Sequence, residues 1–189
     1  MSSHHIVREK QEPALLVLGL DNFPDEMLGQ LLEWSPTVIT TPQTAEKLVA
    51  YGIKIDWIIT NQGAEILQSD VKLMPCRDGN LIDAALTYLA DNGFPAVNII
   101  TDELNINDYT NFAGRINLVI FNDQHKIYPV VPGFSKWKPA AELIQILNPP
   151  PDLRFTGLRH LQGQVYQTIN DGFFSLHFNH PFLFISEEL

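Results

Sequence analysis

Residues 80–101 read NLIDAALTYLADNGFPAVNIIT, and this stretch decides the fold class. Leu81, Ala84, Ala85, Tyr88 and Leu89 fall on one face of a helix over residues 80–92, and Gly93 stops it. Ala96–Thr101 (AVNIIT) then has the length and composition of a buried strand. The same alternation continues upstream. ALLVL at 14–18 is an apolar run closed by Gly19. From Pro24 to Trp34, Met27, Leu28, Leu31 and Leu32 recur at helical spacing behind Asp25 and Glu26, an acidic first turn. Thr37–Thr40 is a second strand. Thr41-Pro42 reads as N-cap and first position of a helix that carries Ala45, Leu48 and Val49 to Gly52. Asp56–Thr60 and Val71–Met74 read as strands. Downstream, a helix from Asn107 to Gly114 leads into the strand Asn117–Phe121. Strands alternating with helices predict a parallel sheet flanked by helices.

The pattern changes after Phe121. No amphipathic helix follows. Short strand-like runs recur at Lys126–Val131, Ala141–Leu147, Leu153–Leu158, Gln164–Ile169, Gly172–Phe178 and Pro181–Ser186. Phe174, Leu176 and Phe178 alternate with Ser175 and His177, the period of a half-buried antiparallel strand. Asn170-Asp171-Gly172 reads as a hairpin turn, and Phe173, Phe174 and Phe178 as sandwich core and interface. The expected organisation is an α/β domain over residues 1–125 followed by an all-β sandwich over residues 126–189.

Composition bounds the partners. Of 189 residues, 45% are hydrophobic, enough for a real core, and no run reaches the roughly 18 apolar residues of a membrane span. The polar start, Met1 to Gln11, lacks the pattern of a secretory signal. The single cysteine, Cys76, cannot make an internal disulfide, so the expectation is a cytoplasmic protein. Twelve Lys and Arg against 22 Asp and Glu give a formal net charge of −10. That is the wrong sign for nucleic acid or an anionic membrane surface, and the densest basic group is only Lys136 with Lys138.

No phosphate-binding glycine loop, CxxC or HExxH is present in the sequence. The polar residues that remain follow strand ends, where an open parallel sheet binds its ligands. They are Thr41 and Gln43 after the second strand, Asn61 after the third, Arg77 and Asp78 at a later turn, and Thr101 with Asp102 and Asp108 further on. Each also has a structural reading. Thr, Asn and Asp at strand ends commonly cap helices and form turns, and Asp78 and Asp108 are placed to do so.

The order of segments resembles the thiamine pyrophosphokinase family from about Pro36 onward. The resemblance rests on Gly52-Ile53-Lys54-Ile55-Asp56-Trp57-Ile58-Ile59, on Pro75-Cys76-Arg77-Asp78, on Asn107-Asp108-Tyr109, on Val131-Pro132-Gly133, on Thr156-Gly157-Leu158-Arg159 and on Asn170-Asp171. It implies the same two-domain division, a homodimer, ATP with Mg2+ as cofactors, and thiamine bound between one subunit's α/β domain and the partner's β-domain. On this likeness Asp78 and Asp108 are the remaining metal-binding and catalytic acids, and Arg77 meets the phosphates. Thr41, Gln43, Asn61, Thr101, His160, Asn170 and Asp171 are ligand contacts.

The chain departs from the family where the chemistry is densest. Pro42, Asn61, Gly63 and Leu81 stand at positions of family acids, Tyr109 at that of a histidine, Ile106 at that of an arginine, and His160 at that of an aromatic residue. Removing one group that stabilises a charged transition state costs about 3–4 kcal/mol. The resemblance therefore implies transfer of pyrophosphate from ATP to thiamine, giving thiamine diphosphate and AMP. The departures imply an impaired or inactive enzyme, with a non-catalytic thiamine-type binding protein or a dimeric interaction scaffold as alternatives.

Overall fold

A computed structural model describes residues 12–61, 68–76 and 80–189. They divide into two compact units, Met1–Asp123 and Gln124–Leu189.

The first unit is built on strands β1 (Ala14–Val17), β2 (Val38–Thr40), β3 (Trp57–Thr60), β4 (Lys72–Pro75), β5 (Ala96–Ile100) and β6 (Asn117–Asn122). They are parallel and ordered β6-β5-β1-β2-β3-β4. Helices α1 (Asp25–Leu32), α2 (Pro42–Ala50) and α3 (Leu81–Asp91) connect them, with a 3-10 helix at Ile106–Phe112. β1 is buried at every position, as a central strand covered on both faces must be. Leu15, Val17, Leu28, Val38, Ala45, Leu48, Ile58 and Ile100 form one core cluster.

Local chemistry accounts for the helix ends. Thr41 caps α2, accepting a hydrogen bond from the Thr44 amide at 3.4 Å, with Pro42 in the first turn. Asn80 caps α3, its Oδ1 accepting from the Asp83 amide at 3.0 Å. After α3 the chain reverses at Gly93, whose φ of +74° suits glycine. The segment expected as a helix from Asn107 is instead the 3-10 helix, and its cap is Asn105. Asp108 does not cap it. Asp108 lies in the first turn and accepts from the Asn105 side chain at 3.2 Å.

The second unit holds β7 (His125–Val130), β8 (Phe134–Lys138), β9 (Leu143–Ile146), β10 (Arg154–Thr156), β11 (Leu158–Gln162), β12 (Val165–Thr168), β13 (Gly172–His177) and β14 (Leu183–Glu188). β11-β12-β9-β14-β7 are neighbours in one antiparallel arrangement, and β10-β13-β8 form a separate three-stranded sheet. One core cluster takes Ile144, Tyr166, Leu183 and Ile185 from the first set and Phe174 and Leu176 from the second.

Periodicity reads β13 well but misses two features. β8 and most of β11 carry alternating charged or polar residues and few apolar ones, so no buried run marks them. Asn170-Asp171-Gly172 is not a hairpin turn, because β12 and β13 belong to different sheets. The Asp171 carboxylate accepts from the Ala140 amide at 2.8 Å and so ties the crossing to the chain after β8. Phe173 is not core either, being 70% exposed.

A charged cluster lies among the inward-facing side chains of this unit. Glu187 is 4% exposed. Its carboxylate accepts from Lys136 Nζ at 2.5 Å and from the Tyr128 hydroxyl at 3.0 Å, with Lys138 Nζ at 3.6 Å. Burial, and after it the Glu187 charge, push the Tyr128 hydroxyl far above its ordinary pKa, so it stays a donor.

Candidate functional site

The strand order of the parallel sheet defines where a ligand would be sought. From β1 the chain proceeds outward through β2, β3 and β4, then crosses to the other side of β1 to lay down β5 and β6. The connections after β1 and β5 therefore diverge, and the crevice between these strands, outside their carboxyl ends, is the switch point of an open α/β sheet.

At that crevice the chain bonds to itself. After β5, the Asp102 carboxylate turns over Gly19 of the β1–α1 loop, and both of its oxygens lie within reach of the Asp21 amide, at 3.0 and 3.1 Å. Gly19 is required there: a Cβ would lie 2.2 Å from Asp102 Oδ2. From β6, Asn122 Nδ2 donates to the carbonyls of Thr101 and Asp102 at 3.0 and 3.2 Å and fixes the turn that aims Asp102. Asp21 in turn accepts from Lys47 of α2, which holds the Lys47 ammonium above its ordinary pKa.

The hydroxyls along this edge are committed in the same way. Thr40 Oγ1 donates to the Val17 carbonyl at 2.8 Å, and Thr44 Oγ1 to the Leu18 carbonyl at 3.1 Å. Thr41 lies 3.1 Å from the Thr44 hydroxyl. Thr101 Oγ1 donates to the Glu103 carbonyl at 2.7 Å. The bonds of Thr40 and Thr44 tie the ends of β1 and β2 together, and that of Thr101 closes the loop after β5 on itself.

The residues singled out in the sequence separate accordingly. Thr41 and Thr101 lie at the edge, buried and bonded to protein. Gln43 is exposed in the first turn of α2, and Asn61 is exposed directly after β3. Arg77 and Asp78 lie outside the described residues, as does Gly63. In the second unit His160 is exposed on β11, its Nε2 within 2.8 Å of the Gly163 carbonyl and its ring 5.0 Å from that of Tyr166. Asn170 and Asp171 are exposed before β13.

Tyr109 is fully buried, and its hydroxyl has no hydrogen-bond partner of acceptable geometry. Burial, then the nearby Asp108 charge, raise its pKa far above 10, against a smaller opposing effect of Thr101. Among the described residues no three His, Cys, Asp or Glu side chains converge as metal ligands would. Neither does any helix among them have the length and apolarity to cross a membrane.

Sequence reasoning missed Gly19, Asp21, Lys47 and Asn122. The usable signal was Gly19 closing a fully apolar strand, a place where backbone and side chain approach closely. The long-range partner, Asp102, is 81 residues from Asp21 and leaves no local trace.

No family model matches the chain, and no curated protein sequence does. Solved structures do. A thiamine pyrophosphokinase from Bacillus subtilis superposes with a TM-score of 0.64 at 13% identity, covering 94% of this chain and 99% of that one. The corresponding values for a thiamin pyrophosphokinase from Geobacillus thermodenitrificans are 0.67, 11%, 93% and 97%. For one from Candida albicans they are 0.67, 10%, 94% and 90%. The fold is thiamine pyrophosphokinase-like, a large mixed β-structure with a few helices.

Proposed function

We propose that this chain keeps the thiamine pyrophosphokinase scaffold, has lost metal-dependent pyrophosphoryl transfer, and binds a thiamine-type small molecule. The observation that carries the reading is Asp102, which lies over Gly19 at the switch point and commits its carboxylate to the chain's own Asp21 amide. A magnesium–nucleotide complex needs the reverse arrangement there, with free amides for phosphate oxygens and free carboxylates for the ion.

The aligned positions support the same reading. Asn61 brings an amide and no charge where the resemblance places an acid. Asp108 is bonded to Asn105. Tyr109 stands at the position of a histidine but is fully buried, out of a substrate's reach. The described residues do not fit Mg2+ with ATP. In this reading the first unit is the former nucleotide half. The second is a β-sandwich that carries the thiamine-type ligand contacts and pairs with a second copy, and the protein acts in the cytoplasm as a homodimer.

Calorimetric titration of the purified protein with thiamine, thiamine diphosphate and ATP tests this. Saturable binding of thiamine or its diphosphate is expected, with Mg2+ changing ATP affinity by less than about tenfold, or about 1.4 kcal/mol of coupling. Stronger coupling would mean that a working metal site exists. Failure of thiamine and its diphosphate to bind would remove the ligand half of the proposal.

A further inference from the structure

The amino-terminal ends of β2, β3 and β4 border an open cleft of about 890 Å3, at the edge of the parallel sheet opposite the switch point. Every residue that lines it belongs to the first unit. The volume is that of a small-molecule site. Helices that connect parallel strands run back against them, so α1 and α3 end at this edge, where Leu32 and Tyr88 line the cleft.

Hydrogen bonds fix the walls. Asp56 Oδ2 accepts from the Val38 amide at 2.9 Å. The Asp56 amide donates to the Val38 carbonyl, and the Asp56 carbonyl accepts from the Lys72 amide, each at 3.0 Å. One residue thus joins the starts of β2, β3 and β4. Gln68 clamps the loop ahead of β3, donating to the Ile53 carbonyl at 2.8 Å and accepting from the Ile55 amide at 3.0 Å. The cleft is therefore formed before a ligand arrives, which lowers the cost of binding.

Its chemistry favours a positive charge on an apolar body. Trp34, Trp57 and Tyr88 supply aromatic walls. Trp34 is 70% exposed. Trp57 and Tyr88 hold each other with ring centroids 4.9 Å apart and planes tilted by 53°. Lys72 Nζ lies over the Trp57 ring, 5.2 Å from its centre, so the chain itself displays an ammonium on this aromatic face. Glu12, Asp56 and Asp70 line the cleft together with Lys54 and Lys72. Lys54 is paired with Asp56 at 3.4 Å. Glu12 and Asp70 form no ion pair among the described residues. Neither α1 nor α3 has a basic residue in its last turn, so the negative ends of both helix dipoles face this edge without compensation.

We propose that this cleft binds an aromatic organic cation, its ammonium at the ring face that Lys72 Nζ now covers and its charge balanced by Glu12 and Asp70. Lys72 is exposed, so its side chain can swing into solvent and yield the ring. This is a second site, distinct from the ligand contacts read above in the other unit, and it does not depend on them.

Calorimetric titration of the full chain with benzyltrimethylammonium tests this, beside the neutral benzyl alcohol and the anionic phenylacetate. Saturable binding of the cation is expected, with both counterparts at least about tenfold weaker. Trp34→Ala, at an exposed position, should weaken the cation about fivefold, the size of one cation–π contact. Asp70→Asn should weaken it as well, since asparagine tolerates the left-handed φ of +65° found there. Lys72→Gln should tighten it by freeing the ring. Trp137→Ala, an exposed tryptophan of the second unit, should bind as wild type. Circular dichroism checks that each variant is folded. Equal affinity for the three compounds, a loss confined to Trp137→Ala, or no binding by either wild type or Lys72→Gln would overturn the proposal. None of the compounds is a thiamine, so its failure leaves the reading above standing.

Discussion

Asp102 in the first unit and Glu187 in the second are both carboxylates that the chain binds to itself, in opposite surroundings. Asp102 is half-buried at the edge of the parallel sheet, over a glycine, bonded to a backbone amide. Glu187 is 4% exposed and held by two lysines and a phenol. The first joins two loops at the edge where an open α/β sheet ordinarily binds a ligand, and what it lends is local shape. The second is an ion removed from water, tolerable only while its cations stay in place. Acids that read alike in a sequence thus do different work, and their burial decides which.

The largest effect is expected on breaking the buried cluster. Glu187→Ala leaves Lys136 without its counter-ion, while Lys138 keeps Glu142 at 3.8 Å. Because Lys136 keeps 35% side-chain exposure, the loss should fall at the low end for a broken buried pair, about 3 kcal/mol. Denaturant unfolding of a Trp34→Phe, Trp57→Phe background, in which Trp137 is the remaining tryptophan, measures it by fluorescence in that unit.

Gly19→Ala attacks the other side of the comparison. The new methyl must displace Asp102, at about 2 kcal/mol. In an Asp102→Ala background the same substitution should cost clearly less. Equal costs in the two backgrounds would show that Asp102 does not lie over Gly19. Thr41→Ala removes a helix cap and should cost about 1 kcal/mol by thermal melting.

The smallest effect belongs to Lys47. Its pKa is raised from 10.5, so whatever the Asp21 contact adds is present below that value and fades as the pH climbs past the raised one. The pair is solvent-exposed, so Lys47→Ala and wild type should melt alike from neutral to mildly alkaline pH.

Legibility in the sequence followed locality. Helices α2 and α3 were readable because cap, apolar stripe and stop lie within a dozen residues: Thr41-Pro42, and Asn80 through Gly93. β13 was readable because its alternation is strict. β8 and β11 were not, because Lys136, Lys138, Arg159 and His160 break the apolar pattern, and what β8 buries is an ion pair rather than an apolar run. The turn at Asn170–Gly172 has good hairpin chemistry, yet its flanking strands go to different sheets, a choice made by tertiary packing.

The site divides in the same way. Thr41 and Thr101 lie at the edge where strand ends predict them, but their hydroxyl bonds stay within the protein. The contact of Asp102 with Gly19 and Asp21 at that edge joins segments far apart in sequence. Asp108 was placed as a cap by its position, and Asn105, three residues earlier, holds that role instead.

The central claim is that the scaffold has outlived its transfer chemistry. The most direct measurement incubates the purified chain with ATP, Mg2+ and thiamine and quantifies AMP and thiamine diphosphate by chromatography. The account predicts no AMP and no thiamine diphosphate above a protein-free control. Formation of both in equal amounts, abolished by chelating the metal, would contradict it.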